Sequence, residues 1–279
     1  MREHGDDAKL IAGGQSLVPM MAMRLTRPAL LVDINEIDAL KFIALEATVV
    51  RTGACTRQCI IERDAALGAC LPLLQQALAW VGHIQTRNRG TVGGSLMQAD
   101  PAAELPLVAL VLGATLKLRS TAAVRTVPAA DFFIAPLTTA AKADECLEEV
   151  HWPLWVETTS VCSGSAFTET SRRHGDFALV AAAAQVALDP SGRCTRASFG
   201  IGGGNSTPVA FPHLAKNLVG TLLDEQAITD AAQAAAGEVE FSSDMHAGAD
   251  YRRHLAAALS ARALHAAREH ATEQSPGKS

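Results

Sequence analysis

Apolar and polar residues change places along this chain in short blocks, and each block carries a period. Residues 9–14, KLIAGG, read as a strand that stops at a glycine turn, and SLVPMMAMRL follows as a short helical or irregular apolar stretch. Branched aliphatics in ALLVDI, after Pro28, and in ATVVRTG, closed by Gly53, predict two more strands. Leu71, Leu74, Leu78 and Val81 recur at helical spacing, with Gly82 as the stop. The stretch HIQTRNRGTVGGSLMQADPAAELP is polar and rich in turn residues, whereas ATLKLRS alternates like a strand with one wet face.

Beyond Trp155 the pattern is more aliphatic. GSAFTETSRRHGDFALVAAAAQVALD reads either as two strands or as a strand and a helix, because short apolar runs do not separate the two. CTRASFG is a strand leading into the glycine turn IGGGNSTPVA, and residues 224–240 look helical. DYRRHLAAALSARALHAAREHA has the firmest helical period, with Leu255, Leu259 and Ala263 on one face and Asp250 expected as N-cap. Composition shifts between Trp155 and Gly164, which places a domain boundary there.

A length of 279 residues suits one large or two ordinary domains, and 48% hydrophobic content supports a sizeable core. With aromatics at only 4%, alanine-lined helix faces are expected to pack closely. A net charge of −5 without a basic cluster argues against nucleic-acid binding. Leu105–Leu118 is too short and too interrupted to span a membrane, and the charged start is no secretory signal, so a cytoplasmic protein is expected. The six cysteines lack zinc or iron–sulfur spacing and read as small core residues. His246 and His254, and His265 and His270, are spaced unsuitably for a metal site on one helical face. Arg172 and Arg173 read as facing a partner or solvent, while Arg89 stands closer to a glycine pair.

Three glycine-rich turns carry the candidate chemistry. From Gly200 a dinucleotide-binding fingerprint would need glycine where Asn205 stands, and Pro208 and Pro212 interrupt the helix that should follow, so a simple turn is favoured. The pairs Gly13-Gly14 and Gly93-Gly94 share one local design, a hydroxyl or amide beside two unobstructed N–H groups. Successive N–H groups make an anion-binding nest, and two facing nests could hold the two phosphates of a dinucleotide.

AGGQSLVPMMAMRLTRPALLVDI, with RNRGTVGGSLMQADPAAELP at the matching distance, resembles the FAD-binding medium subunit of molybdenum hydroxylases, the carbon monoxide dehydrogenase and xanthine dehydrogenase family. The resemblance continues through AADFFIAPLTTA, GSAFTETSRRHGDFALVAAAA and DMHAGADYRRHLAAAL, and covers nearly the whole chain. It implies an α+β fold: a two-lobed FAD-binding domain of the PCMH, or vanillyl-alcohol-oxidase, type over residues 1–155, with lobes of about 1–53 and 54–155. A smaller α+β C-terminal domain over 160–271 and a disordered tail over 272–279 follow.

By the same resemblance, Ala12, Gly13, Gly14, Gln15, Ser16 and Leu17, with Thr91, Val92, Gly93, Gly94 and Ser95, surround FAD. Glu104 accepts a hydrogen bond from a ribose or ribityl hydroxyl, and Phe167 is placed near the isoalloxazine, with a core phenylalanine as the equal alternative. No general acid or base is required of the chain. The implied function is electron transfer from [2Fe–2S] clusters on a small subunit to FAD and on to an external acceptor, beside a large molybdopterin-binding subunit, in a dimer of heterotrimers. GGQS, GGS and DPAAELP lean towards bacterial hydroxylases of aromatic or N-heterocyclic compounds.

Two departures stand out. Relatives carry a strand and a helix before the GGQS loop, and here the chain starts inside the end of that helix; Ala141 and Ala143 replace a common leucine and proline. The competing expectations are a shortened, flavin-free docking subunit and a nicotinamide-dependent dehydrogenase built on the turn at 200–205.

Overall fold

The computed structural model describes residues 4–155 and 161–274. The boundary expected between Trp155 and Gly164 falls partly on 156–160, and the tail residues 275–279 also lie outside the described residues.

Strands β1 (Ala8–Ile11) and β2 (Leu30–Asp33) pair in parallel, joined by the loop at residues 12–16 and helix α1 (Leu17–Ala22). The next sheet has five strands: β3 (Ile43–Leu45), β4 (Val49–Gly53), β5 (Thr115–Arg119), β6 (Val124–Pro128) and, after a short hairpin of β7 (Phe133–Ala135) and β8 (Thr138–Thr139), β9 (Cys146–Pro153). Their order is β3-β4-β9-β5-β6, all antiparallel. The sheet therefore takes residues 43–53 away from the first lobe, where the sequence put them, because β4 finds its hydrogen-bond partner in β9. The buried Trp152 indole locks that pairing by donating to Thr52 Oγ1 at 2.9 Å.

Six helices fill the interval between β4 and β5: α2 (Gln58–Arg63), α3 (Ala65–Cys70), α4 (Pro72–Leu78), α5 (Ile84–Arg89), α6 (Val92–Gln98) and α7 (Glu104–Val111). The polar stretch expected to be turn-rich thus folds into two short helices. Thr91 decides the second of them, since its hydroxyl accepts from the Gly94 N–H and caps α6.

In the C-terminal part, β10 (Cys162–Ser171), β11 (Ala178–Leu188), β12 (Cys194–Gly202) and β13 (Val209–Ala210) form an antiparallel sheet in that order. Helices α8 (Pro212–Leu218), α9 (Glu225–Glu238) and α10 (Ala249–Glu273) follow. The alanine run that the period left undecided is the strand β11. It is apolar except for Gln185 because α10 packs on one face of the sheet and α4 and α7 on the other. Gly248, not Asp250, is the N-cap of α10; Asp250 lies in the first turn and pairs with Arg253 at 2.8 Å. The same helix runs through 272 and 273, which were expected to be disordered.

Each part has its own core, and α7 joins them. Helix α7 is apolar nearly all round and buried from Glu104 to Ala109. The glycine-rich segment at 200–202 lies against it: a Cβ on Gly200 would stand 3.0 Å from Val111 Cγ2 and 3.1 Å from Leu107 Cδ1. The segment beyond then joins two antiparallel strands, β12 and β13, instead of opening a helix, so the βαβ unit a nicotinamide site needs is not formed there. Hydrogen bonds from Ser198 Oγ to the Val111 carbonyl, 2.7 Å, and from Gly203 N–H to the Pro101 carbonyl, 3.0 Å, fasten the two parts.

Candidate functional site

A cleft of about 1550 Å³ opens between the two glycine loops and the C-terminal part. That exceeds the roughly 300–1,000 Å³ common for small-molecule pockets and suits an extended ligand. Ala12–Leu17, Thr91, Gly93, Gly94, Ser95 and Glu104 all line it. Val92 and Phe167 do not. Both are buried in the first core, so the core reading of Phe167 is the one the fold adopts. Phe177, in the turn between β10 and β11, lines the cleft instead and is 73% exposed.

The two glycine loops are not equivalent nests. In the first, the N–H groups of Gly14, Gln15 and Ser16 make no hydrogen bond among the described residues, while Gly14 turns through φ +70° and the Gln15 amide holds the Gly13 carbonyl at 2.9 Å. In the second, every N–H from 92 to 95 is engaged. Val92 donates to the Thr56 carbonyl, Gly93 to that of Ala54, Gly94 to the Thr91 hydroxyl and Ser95 to the Thr91 carbonyl. The expectation of unobstructed donors at both pairs is therefore corrected. Gly93 is needed because its Cβ would meet Ala54 Cβ at 2.6 Å, and Gly94 leaves the wall facing the cleft bare, with only Thr91 Oγ1 within 4 Å of its missing Cβ.

The loops touch each other. A Cβ on Gly13 would lie 2.3 Å from the Arg89 carbonyl oxygen and 2.9 Å from Gly90 Cα. Two residues that the sequence did not single out clamp this junction. Asn35 donates to the Ala12 carbonyl at 2.7 Å; Arg57 donates to Asn35 Oδ1 at 2.7 Å and to the Arg89 carbonyl. Only the position of Asn35, in a turn directly after strand β2, could have hinted at it.

On the opposite wall, Arg125 makes a two-pronged pair with Glu145, both contacts 2.7 Å, and the Lys142 N–H adds a third bond to that carboxylate at 2.8 Å. The Arg125 hydrogen bonds, with help from Lys142, hold Glu145 down at about 2 against the opposing effect of burial. This fixes the segment that includes Ala141 and Ala143 through backbone and carboxylate contacts. From the C-terminal part, Arg172, His246 and Arg252 reach the cleft. Arg172 Nη1 lies 3.2 Å from His246 Nδ1, and Arg252, almost wholly buried, donates to the Leu179 carbonyl at 2.7 Å and pairs with Asp244 at 2.5 Å. Arg173 is not part of the cleft lining. Glu104 opens α7 at the edge of the cleft; burial pushes its carboxyl up to about 7.

These features fit FAD: an elongated cleft, a row of free N–H groups in a left-handed glycine turn, a bare glycine wall opposite, and a carboxyl able to take a hydroxyl hydrogen bond. They define a two-part flavin-binding protein. The family model described as the FAD binding domain in molybdopterin dehydrogenase matches residues 1–155, and the CO dehydrogenase flavoprotein C-terminal domain matches 165–267. The chain belongs to the family of FAD-binding medium subunits of molybdenum hydroxylases.

The chain is 39% identical to the 6-hydroxypseudooxynicotine dehydrogenase complex subunit alpha of Paenarthrobacter nicotinovorans, over 96% of this chain and 90% of that one. Against the carbon monoxide dehydrogenase medium chain of Afipia carboxidovorans it is 34% identical, over 96% and 91%. Among solved structures, quinoline 2-oxidoreductase from Pseudomonas putida 86 superposes with TM-score 0.89 at 37% identity, covering 95% of this chain and 91% of that one. Cu,Mo-CO dehydrogenase superposes with TM-score 0.92 at 33% identity, covering 96% and 92%. The relatives are dehydrogenase subunits, so the chain is an oxidoreductase component with an FAD-binding domain. Among the described residues no helix is long and apolar enough to cross a membrane.

Proposed function

We propose that this chain is the electron-transfer subunit of a heterotrimeric molybdenum hydroxylase in the cytoplasm, passing electrons from [2Fe–2S] clusters on a small partner to FAD and on to an external acceptor. A large molybdopterin-binding subunit carries the organic substrate, and two heterotrimers associate. A flavin, when bound, supplies the exchange between one-electron and two-electron carriers. The chain's own part is to bind and orient. Residues 14–16 offer N–H groups to a phosphate, Gly94 lets the ligand approach the opposite wall, and the Asn35–Arg57 clamp keeps the two loops at a fixed separation. Of the residues expected at the cofactor, Ala12–Leu17, Thr91, Gly93–Ser95 and Glu104 hold it, and Phe177 offers its exposed ring to the same cleft.

The observation that carries this reading is the open N–H row of the first glycine loop facing a cleft closed by the second. The relatives' names, 6-hydroxypseudooxynicotine dehydrogenase and quinoline 2-oxidoreductase, support an N-heterocyclic or related substrate for the complex. Co-expression with the adjacent gene products, and purification through a tag on this chain, tests the assembly. Iron, molybdenum and FAD are expected to co-purify with two partner chains. A flavin-containing chain that captures neither metal nor partner would contradict it.

A further inference from the structure

The wall that the C-terminal part gives the cleft carries a pair of hydrogen-bond donors, Arg172 and His246, held on two braced segments. Residues 172–177 turn the chain from β10 into β11. The apex of this turn is wedged against the first part. The His174 ring meets Trp80 edge-on, with centroids 5.6 Å apart, and Gly175, at φ +88°, makes room for His83, whose Cε1 would stand 2.6 Å from a Cβ there. The two shoulders of the turn, Arg172 and the exposed Phe177, both line the cleft. The second segment precedes α10. Asp244 accepts the backbone N–H groups of His246, at 2.7 Å, and Ala247, at 3.0 Å, and pairs with the buried Arg252. His246 is thereby fixed with its Nδ1 3.2 Å from Arg172 Nη1. A guanidinium only donates, so Nδ1 accepts and the imidazole proton sits on Nε2. No carboxylate pairs with Arg172 among the described residues: Asp244 is engaged by Arg252 and two N–H groups, and Asp176, in the same turn, makes no ion pair with it. The other four N–H groups of Arg172 and the Nε2–H of His246 have no protein acceptor among the described residues.

We propose that Arg172, oriented by His246, receives the negative charge of the reduced isoalloxazine in this cleft and so raises the reduction potential of the flavin. The inference deepens the flavin-binding reading and rests on it. A set of donors alone offers nothing to the exocyclic amine of adenine and suits the carbonyl-bearing edge of the isoalloxazine. Two electrons from the iron–sulfur partner and one proton from solvent leave that ring with a single negative charge, which a fixed cation stabilises relative to the neutral oxidised ring. The first glycine loop, by contrast, meets phosphates whose charge is the same in both states, so it holds both alike. His246 is a positioning residue, since it acts through the bond that it accepts from Arg172.

The test measures the affinity for oxidised and for reduced FAD, and the two-electron potential, in the complex purified with its partners, as wild type, Arg172→Gln, Arg172→Lys and His246→Phe. In Arg172→Gln, oxidised FAD should bind within about threefold of wild type and reduced FAD about tenfold more weakly or worse. The potential should then fall by about 30 mV or more. Arg172→Lys keeps the charge and should stay closer to wild type. His246→Phe leaves the guanidinium without its holder and should fall between wild type and Arg172→Gln. Equal weakening of both redox forms, an unchanged potential in Arg172→Gln, or a lysine variant as low as the glutamine one would overturn the assignment. Should Arg172→Gln fail to assemble, His246→Phe carries the test, and an unchanged potential there would overturn it. If the wild type takes up no FAD, the flavin reading fails and this inference with it; bound FAD with a potential indifferent to Arg172 defeats the inference alone.

Discussion

Gly13 faces the carbonyl oxygen of Arg89 so closely that a methyl group on it would stand 2.3 Å away. The glycine pair at the start of the chain therefore has two separate reasons. Gly13 lets the loops meet, and Gly14 turns the chain through φ +70° at the head of N–H groups that make no hydrogen bond among the described residues. Gly13→Ala should push the loops apart. Overpacking of this kind costs roughly 1–3 kcal/mol, so a lower Tm accompanied by loss of bound flavin is the expected outcome; an unchanged Tm with full flavin would refute the junction.

Gly14→Val and Gly94→Val should each abolish FAD binding for different reasons. Valine at 14 is strained at positive φ and meets Val18 Cγ2 at 3.1 Å; at 94 its Cβ would stand 2.7 Å from Thr91 Oγ1 and disturb the cap of α6. Flavin content per folded chain reads both, and full retention in both variants would sink the loop account.

Much of the fold was legible because periodicity is local. β1, β2, β4, β5, α9 and α10 stand where their residues predict them, whereas α4 ends at Leu78, short of Val81 and the expected stop at Gly82. β3 was missed, being three residues whose only reason to extend is its neighbour β4. The alanine run was undecided because a strand covered on both faces loses its alternation. At the site, the glycine pairs were visible as residue types, but the engagement of the second loop's N–H groups was not, since Ala54 and Thr56 are remote in sequence. Asn35 and Arg57 were hidden for the same reason: a clamp is a relation among three segments, and each segment alone looks like an ordinary polar turn.

Arg57→Ala should loosen that clamp without unfolding the chain, as Arg57 donates from a half-exposed position to Asn35 and to the Arg89 carbonyl. Loss of charge-assisted hydrogen bonds worth about 1.5–3 kcal/mol predicts FAD affinity weaker by roughly tenfold to a hundredfold. Titration of apoprotein with FAD checks this, with circular dichroism to confirm the fold. Affinity equal to wild type would show that the loops hold their separation unaided.

Buried carboxyls give the pH dependence of stability contributions of both signs. Glu145 is depressed to about 2 from 4.5, so its pairing with Arg125 contributes fully above about 4.5 and is lost as pH falls towards 2. Glu104 is raised to about 7 and the buried Glu169 to about 9, so the folded form binds more protons than the unfolded chain; the apoprotein should lose stability as pH climbs from about 4.5 through 9. In denaturation midpoints against pH, Glu145→Gln should flatten the acid limb, and Glu104→Gln with Glu169→Gln the limb above about 4.5. Unaltered limbs would exclude these groups as the cause.

On the function proposed above, the first glycine loop holds the phosphates of FAD. The most direct measurement is the absorbance spectrum of the chain purified with its co-expressed partners, followed by identification of the cofactor released on denaturation. A flavin spectrum, FAD as the released species, and its loss in Gly14→Val are predicted. A folded, assembled but colourless complex would contradict the claim.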